Sequence, residues 1–210
     1  MKIRTNRKRM NTILRWTQGV LFAGGAVLLG YCGFVFVDSS VFQYRQSVNL
    51  RRLLEVRDPG SHLPAIQASG LIGRLEIPRL GLSVVLIEGD DARILRRAVG
   101  HVPSTPLPGQ TGNSALTGHR DTFFRPLKNI HADDIITVTT LDGEYRYRVV
   151  STSVVSPDNV SVLNAGQGEM LTLITCYPFY FVGSAPDRFI VRAERLHSAP
   201  SSSGPGGLNL

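Results

Sequence analysis

The stretch Leu171-Thr172-Leu173-Ile174-Thr175-Cys176-Tyr177-Pro178 is an apolar, β-branched run that stops at a thiol and a turn signal. Residues branched at Cβ suit a pleated sheet, and a proline cannot donate to its ladder. A strand therefore ends at Cys176, which puts the sulfur at a rim, where it can do chemistry rather than fill a core. Twelve residues on, Arg188 opens a second strand, Arg188-Phe189-Ile190-Val191-Arg192. Upstream, segments 134–141 and 144–155 read as strands joined by Asp142-Gly143, a strong two-residue hairpin signal. Leu71-Ile72-Gly73-Arg74-Leu75-Glu76-Ile77 alternates until Pro78, 82–87 is a short buried-type strand, and 114–117 leads towards His119. Between them Gly89-Asp90-Asp91 starts a short helix running to Arg97, with Asp at its cap. Seven or eight short strands with Pro/Gly punctuation, few helices and no internal repeat predict an all-β sandwich or barrel.

The charge of the chain separates into two parts. Net charge is +7 and the sequence pI about 9.9. Six of the 23 basic residues (Lys2, Arg4, Arg7, Lys8, Arg9 and Arg15) precede residue 17, with no acidic residue among them. From Leu71 to Leu196 the count is 13 basic against 13 acidic. The basicity is thus a topology signal, and nucleic acid is not expected as a partner. Behind the cationic flank, 19–37 is uncharged and apolar over about 19 residues, roughly 28 Å as a helix and enough to span a bilayer. A cleavable signal peptide shares the charge pattern, but this stretch exceeds a usual signal core and no small-x-small site follows. Residues 1–18 read as a basic cytoplasmic tail, 19–37 as a transmembrane anchor and 38–69 as an extracytoplasmic stalk. Residues 41–56 have roughly helical apolar spacing, either a juxtamembrane amphipathic helix or a spacer packing partly on the domain, ended by Asp58-Pro59-Gly60. Residues 197–210 are rich in Ser, Pro and Gly and read as a disordered tail.

The chain has two cysteines. With the anchor retained, Cys32 lies in lipid, so the exported part carries one unpaired thiol in an oxidising compartment. An odd thiol there suggests a reactive group rather than a small buried hydrophobe. His119 lies in Thr117-Gly118-His119-Arg120-Asp121-Thr122. Cys176, His119 and Arg188, each at the end of a β segment, supply a nucleophile, a proton carrier and an anion stabiliser. Thr175 stands at the same rim, where its backbone or hydroxyl can support substrate or oxyanion. Asp121 is a candidate orienting group for His119. His62, His101, His131 and His197 have no matching context and read as surface or loop residues.

Three segments, Thr117-Gly118-His119-Arg120, Thr172-Leu173-Ile174-Thr175-Cys176 and Asp187-Arg188-Phe189, resemble those of the sortases, membrane-anchored cysteine transpeptidases of bacterial surfaces. The order His, Cys, Arg, the N-terminal anchor and the strand count fit as well. The resemblance implies a seven- to eight-stranded sortase-type β-barrel over 70–196, preceded by one transmembrane helix. It also implies that a Leu-Pro-x-Thr-type sorting signal is cleaved after Thr, held as a thioester on Cys176 and passed to a cell-wall amine. Secreted proteins with C-terminal sorting signals and the cell-wall peptide amine are then the partners, with the enzyme single-pass in the cell membrane and its catalytic domain outside. Tyr177-Pro178 after the cysteine resembles classes C and D. A polar tail, and glycine rather than an aromatic after Asp58-Pro59, favour class D.

Leu107-Pro108-Gly109-Gln110-Thr111-Gly112 imitates a sorting signal, but one residue too many precedes Thr-Gly and no hydrophobic stop follows. It reads as a turn-rich loop. Neither metal nor cofactor is called for, since His101, His119 and Cys176 are spaced 18 and 57 apart, unlike any usual ligand set. A thiol–disulfide protein would want a Cys-x-x-Cys pair, which is missing. A non-enzymatic adhesin explains the β fold but not the three motifs. A membrane-anchored cysteine endopeptidase, in which water replaces the amine, remains the alternative on the same site.

Overall fold

Arg4–Val56 forms one continuous helix, α1. The computed structural model describes residues 4–56, 66–164, 168–181 and 183–197, in two units, Met1–Phe42 and Gln43–Leu210. In the first unit most of the described apolar side chains are exposed: Leu21 is 73% and Phe22 81% exposed. Mean hydropathy reaches 2.2 over an 18-residue window, so this helix is long and apolar enough to cross a membrane. A helix with an apolar surface all round is unfavourable in water and at home in lipid.

In the second unit the last turns of α1 dock on the barrel. Gln43 donates to the Arg97 carbonyl (2.6 Å) and accepts from the backbone N–H of Val85 (2.9 Å), Ser47 accepts from the Arg74 guanidinium, and Leu50 is buried. From Gln43 onward this is the contact that the spacer reading of 41–56 expects.

Eight strands close into a barrel: β1 (Leu71–Ile77), β2 (Leu82–Glu88), β3 (Val99–His101), β4 (Gly112–Thr117), β5 (Ile135–Thr140), β6 (Glu144–Val155), β7 (Glu169–Tyr177) and β8 (Asp187–Arg195). Around the barrel they run β1-β2-β3-β4-β7-β8-β6-β5. The pairs β2–β3 and β4–β7 are parallel and the other six antiparallel. Alternation sends Leu75, Leu86, Leu116, Leu173 and Val191 inward with Phe124 and Tyr147. Each such side chain contributes about 1.5–3 kcal/mol through removal from water. The short helix α2 (Ala92–Leu95) is capped by Asp91, whose carboxylate accepts from the N–H groups of Arg93 (2.7 Å) and Ile94 (3.1 Å).

The imitation sorting signal is a turn pinned to the barrel. Gly109 has φ +88°, and a Cβ there would stand 2.2 Å from the Tyr145 ring. Its N–H donates to the Tyr147 phenol oxygen at 2.8 Å. Burial pushes that phenol up to about 12, so it stays neutral and stays put.

One expectation is corrected. His101 is 2% exposed and lies on β3, not on the surface or in a loop. Its Nδ1 meets a Glu88 carboxylate oxygen at 2.7 Å and its Nε2 the Pro106 carbonyl at 3.0 Å, which satisfies a ring that burial would otherwise leave stranded. His131 (in a loop) and His197 (72% exposed) are as expected. His62, the Asp58-Pro59-Gly60 break and tail residues 198–210 lie outside the described residues.

Candidate active site

The barrel brings three strand ends to one rim. Parallel pairing of β4 with β7 (Thr117 beside Ile174) carries the turn after β4, with His119, to the end of β7. Antiparallel pairing of β7 with β8 sets Cys176 directly opposite Arg188. Leu171 and Leu173 point into the core, so alternation turns Ile174 and Cys176 to the outer face, where Arg188 and Ile190 lie across from them. Cys176, His119 and Arg188 are all half-buried.

A groove of about 220 Å³ runs along this outer face. Thr117, Ile174, Ile190 and Arg188 form its floor, and the chain from Val155 to Leu163 forms one wall. It stops two residues short of His119 on one strand and two short of Cys176 on the next. The wall is held from beneath by Asn113, 1% exposed, which donates to the carbonyls of Val162 (2.9 Å) and Asn164 (3.3 Å) and accepts from Thr172 Oγ1 (2.7 Å).

The turn carrying His119 is shaped by its neighbours. A Cβ at Gly118 would lie 2.9 Å from the ring of Phe124, which is 0% exposed and whose N–H donates to the His119 carbonyl at 3.0 Å. Gly118 thus lets the turn close over its aromatic plug. Its N–H donates to the Ile174 carbonyl (3.2 Å) and its carbonyl accepts from Thr175 Oγ1 (2.7 Å). The Thr175 hydroxyl is therefore spent on the buried side of β7, away from the sulfur. The imidazole of His119 makes no hydrogen bond to another described residue. Asp121, 65% exposed, contacts Arg120 Nε at 3.3 Å. Arg188 Nη1 donates to the carbonyls of Asp187 (3.0 Å) and Ala185 (3.3 Å), which keeps the guanidinium at the groove end.

Arg120 was not singled out from the sequence. It is 6% exposed and donates to the carbonyls of Pro178 (2.8 Å), Phe181 (2.6 Å) and Gly183 (3.3 Å). A burial forecast would send an arginine outside, and only its place next to His119 could have drawn notice. Beyond Cys176, the rings of Tyr177, Phe179 and Phe189 pack together at centroid distances of 5.3–6.2 Å. Among the described residues no group of three or more His, Cys, Asp and Glu could hold a metal ion.

A thiol and a guanidinium side by side at a groove end, with an imidazole on the adjoining turn, are the equipment of a cysteine acyl-transfer enzyme built on a β-barrel. The sortase-domain family model matches residues 75–196. Sortase D of Bacillus subtilis is 32% identical over 193 residues, 84% of this chain and 96% of its own length. Sortase SrtE1 of Streptomyces coelicolor is 35% identical over 167 residues, 70% of this chain and 46% of its own length. Sortase C1 of Streptococcus agalactiae superposes with a TM-score of 0.59 at 30% identity, over 64% of this chain and 72% of that one. For a sortase D5 transpeptidase of Clostridium perfringens the TM-score is 0.55 at 27% identity, over 72% and 89%. The chain belongs to the sortase family and is class D-like. It is a cysteine transpeptidase in kind, of a membrane-anchored family that acts on secreted proteins with sorting signals and on cell-wall amines.

Proposed function

We propose that the chain cleaves a Leu-Pro-x-Thr-type signal after Thr and transfers the new carboxyl end to a cell-wall amine, with Cys176 as nucleophile, His119 as proton carrier and Arg188 as anion stabiliser. The observation that supports this most is the register pairing of Cys176 with Arg188 at the end of the outer-face groove. Ile174, Ile190, Val160 and Leu163 give that mixed groove apolar patches suited to the Leu and Pro side chains of an extended peptide, with Thr117, Ser156 and Asn159 as polar neighbours.

The Cys176 thiolate attacks the Thr carbonyl carbon and the C=O electron pair moves to oxygen. Arg188, which cannot deprotonate, holds that oxyanion and the adjacent carbonyls with its fork of donors. The tetrahedral species collapses as His119 protonates the departing amide nitrogen, leaving a thioester. The incoming amine attacks the thioester, gives a proton to His119, and expels the thiolate as the new amide forms. The backbone of Thr175 lies beside this step. The helix through 19–37 anchors the enzyme, tail 1–18 inside and domain 70–196 outside.

The test incubates the chain with a fluorogenic Leu-Pro-x-Thr peptide, with and without hydroxylamine, a glycine-ended amine or a diaminopimelate-type amine. Amine-dependent product at a raised turnover is expected, and Cys176→Ala should abolish it while the fold survives. Hydrolysis indifferent to every amine would convert the reading to an endopeptidase. More than a few per cent of activity left in Cys176→Ala would overturn the nucleophile.

A further inference from the structure

We propose that Arg120 is the positioning residue that sets His119 against Cys176, with Thr175 as its counterpart on the other side of the turn. The inference rests on the catalytic reading above. Both chain neighbours of His119 are fastened to the segment that carries the cysteine. On one side Gly118 is bonded through N–H and C=O to Ile174 and Thr175, the two residues before Cys176. On the other, the Arg120 guanidinium reaches three carbonyls of the segment after it, at Pro178, Phe181 and Gly183. His119 sits between the two ties, and its ring has no hydrogen-bond partner of its own among the described residues. Its place relative to the sulfur is therefore set through its neighbours.

The chemistry of the tie is particular to arginine. A guanidinium at 6% exposure is tolerable only if its donors are met, and here Nη1, Nη2 and Nε all find oxygen. Three carbonyls converging on one planar fork hold Pro178, Phe181 and Gly183 to a single side chain. An ammonium is a point charge and could reach only part of that set. Asp121, mostly in solvent, balances the Arg120 charge and acts on His119 only through it. None of the residues in the Arg120 tie (Asp121, Pro178, Phe181 and Gly183) lines the peptide groove.

The full-length chain in detergent tests this with Arg120→Lys, assayed on the Leu-Pro-x-Thr peptide with hydroxylamine and by the pH profile of Cys176 alkylation with iodoacetamide. A folded Arg120→Lys is expected to keep KM within about twofold and lose roughly 10–100-fold in kcat, the scale of a reacting group displaced by about 1 Å. Its alkylation profile should move to that of His119→Ala, a change that a merely structural role would not produce. Unaltered kcat and an unaltered profile would overturn the proposal. Should Arg120→Lys fail to fold, Thr175→Val removes the side-chain hydrogen bond of the opposite tie at nearly constant volume, with the same split and profile expected and unaltered values equally fatal. If Cys176→Ala retains activity, or His119→Ala leaves both kcat and profile unchanged, the catalytic reading fails instead.

Discussion

A lysine at position 188 would keep the charge of the arginine and lose its geometry. The guanidinium stands opposite Cys176 and is steadied by the Asp187 and Ala185 carbonyls, so its free donors have a defined direction. Arg188→Lys is therefore expected to recover little of the two to four orders of magnitude that Arg188→Ala should cost in turnover. His119→Ala should fall by a similar roughly 10²–10⁴-fold. Steady-state turnover checks both, and a Lys variant equal to the unmodified chain would show that charge alone suffices. Cys176, His119 and Arg188 stood out in the sequence because each sits in a short distinctive segment at a strand end, and the barrel brings those strand ends to one rim. The hydrogen bonds of Arg120 and Thr175 were not legible there. Their partners lie 58 and 57 positions away in the chain, and a lone arginine or threonine says nothing about where its donors point.

At the level of elements, hydrophobic alternation and turn chemistry carried most of the barrel. The Asp142-Gly143 hairpin, the Asp91 cap and the strands β1, β7 and β8 follow from local rules alone. β3 escaped because it is three residues long and gains its pairing from parallel β2, a long-range fact. The groove wall escaped for the same reason, since Asn113 holds it from 49 residues upstream. Asn113→Ala should loosen that wall, raising KM for the peptide severalfold while the barrel stays folded, as peptide titration and circular dichroism would show. A second element-level tie joins the turn after β1 to the start of β5. Arg79 grips both oxygens of Asp134 and the Asn129 carbonyl, and this hydrogen bonding holds the Asp134 carboxyl below the usual carboxylate range. Because the folded state depresses this carboxyl, its contribution is complete above the unfolded value, about 3.9, and fades as pH falls through the folded one. Asp134→Asn should lower Tm at pH 7, with the difference from the unmodified chain shrinking as pH is brought towards about 3. A difference constant with pH would mean that shape, not charge, matters there.

For the whole molecule, the proposed topology makes a plain expectation. Protease added to protoplasts should digest the domain after residue 37 and spare the basic tail. A soluble exported product beginning near residue 38 would mark the apolar segment as a cleaved signal. The order in which the ladder closes has a consequence in time. β8 pairs with both β6 and β7, so it is the last strand made and the one that completes the ring. A growing chain that ends before residue 187 possesses the thiol and the imidazole yet lacks Arg188 and a closed barrel. Such non-local closure is slow, about milliseconds to seconds for β folds. On the proposed mechanism the unfinished polypeptide lacks its anion stabiliser, so peptide cleavage is expected only once synthesis has passed the final strand.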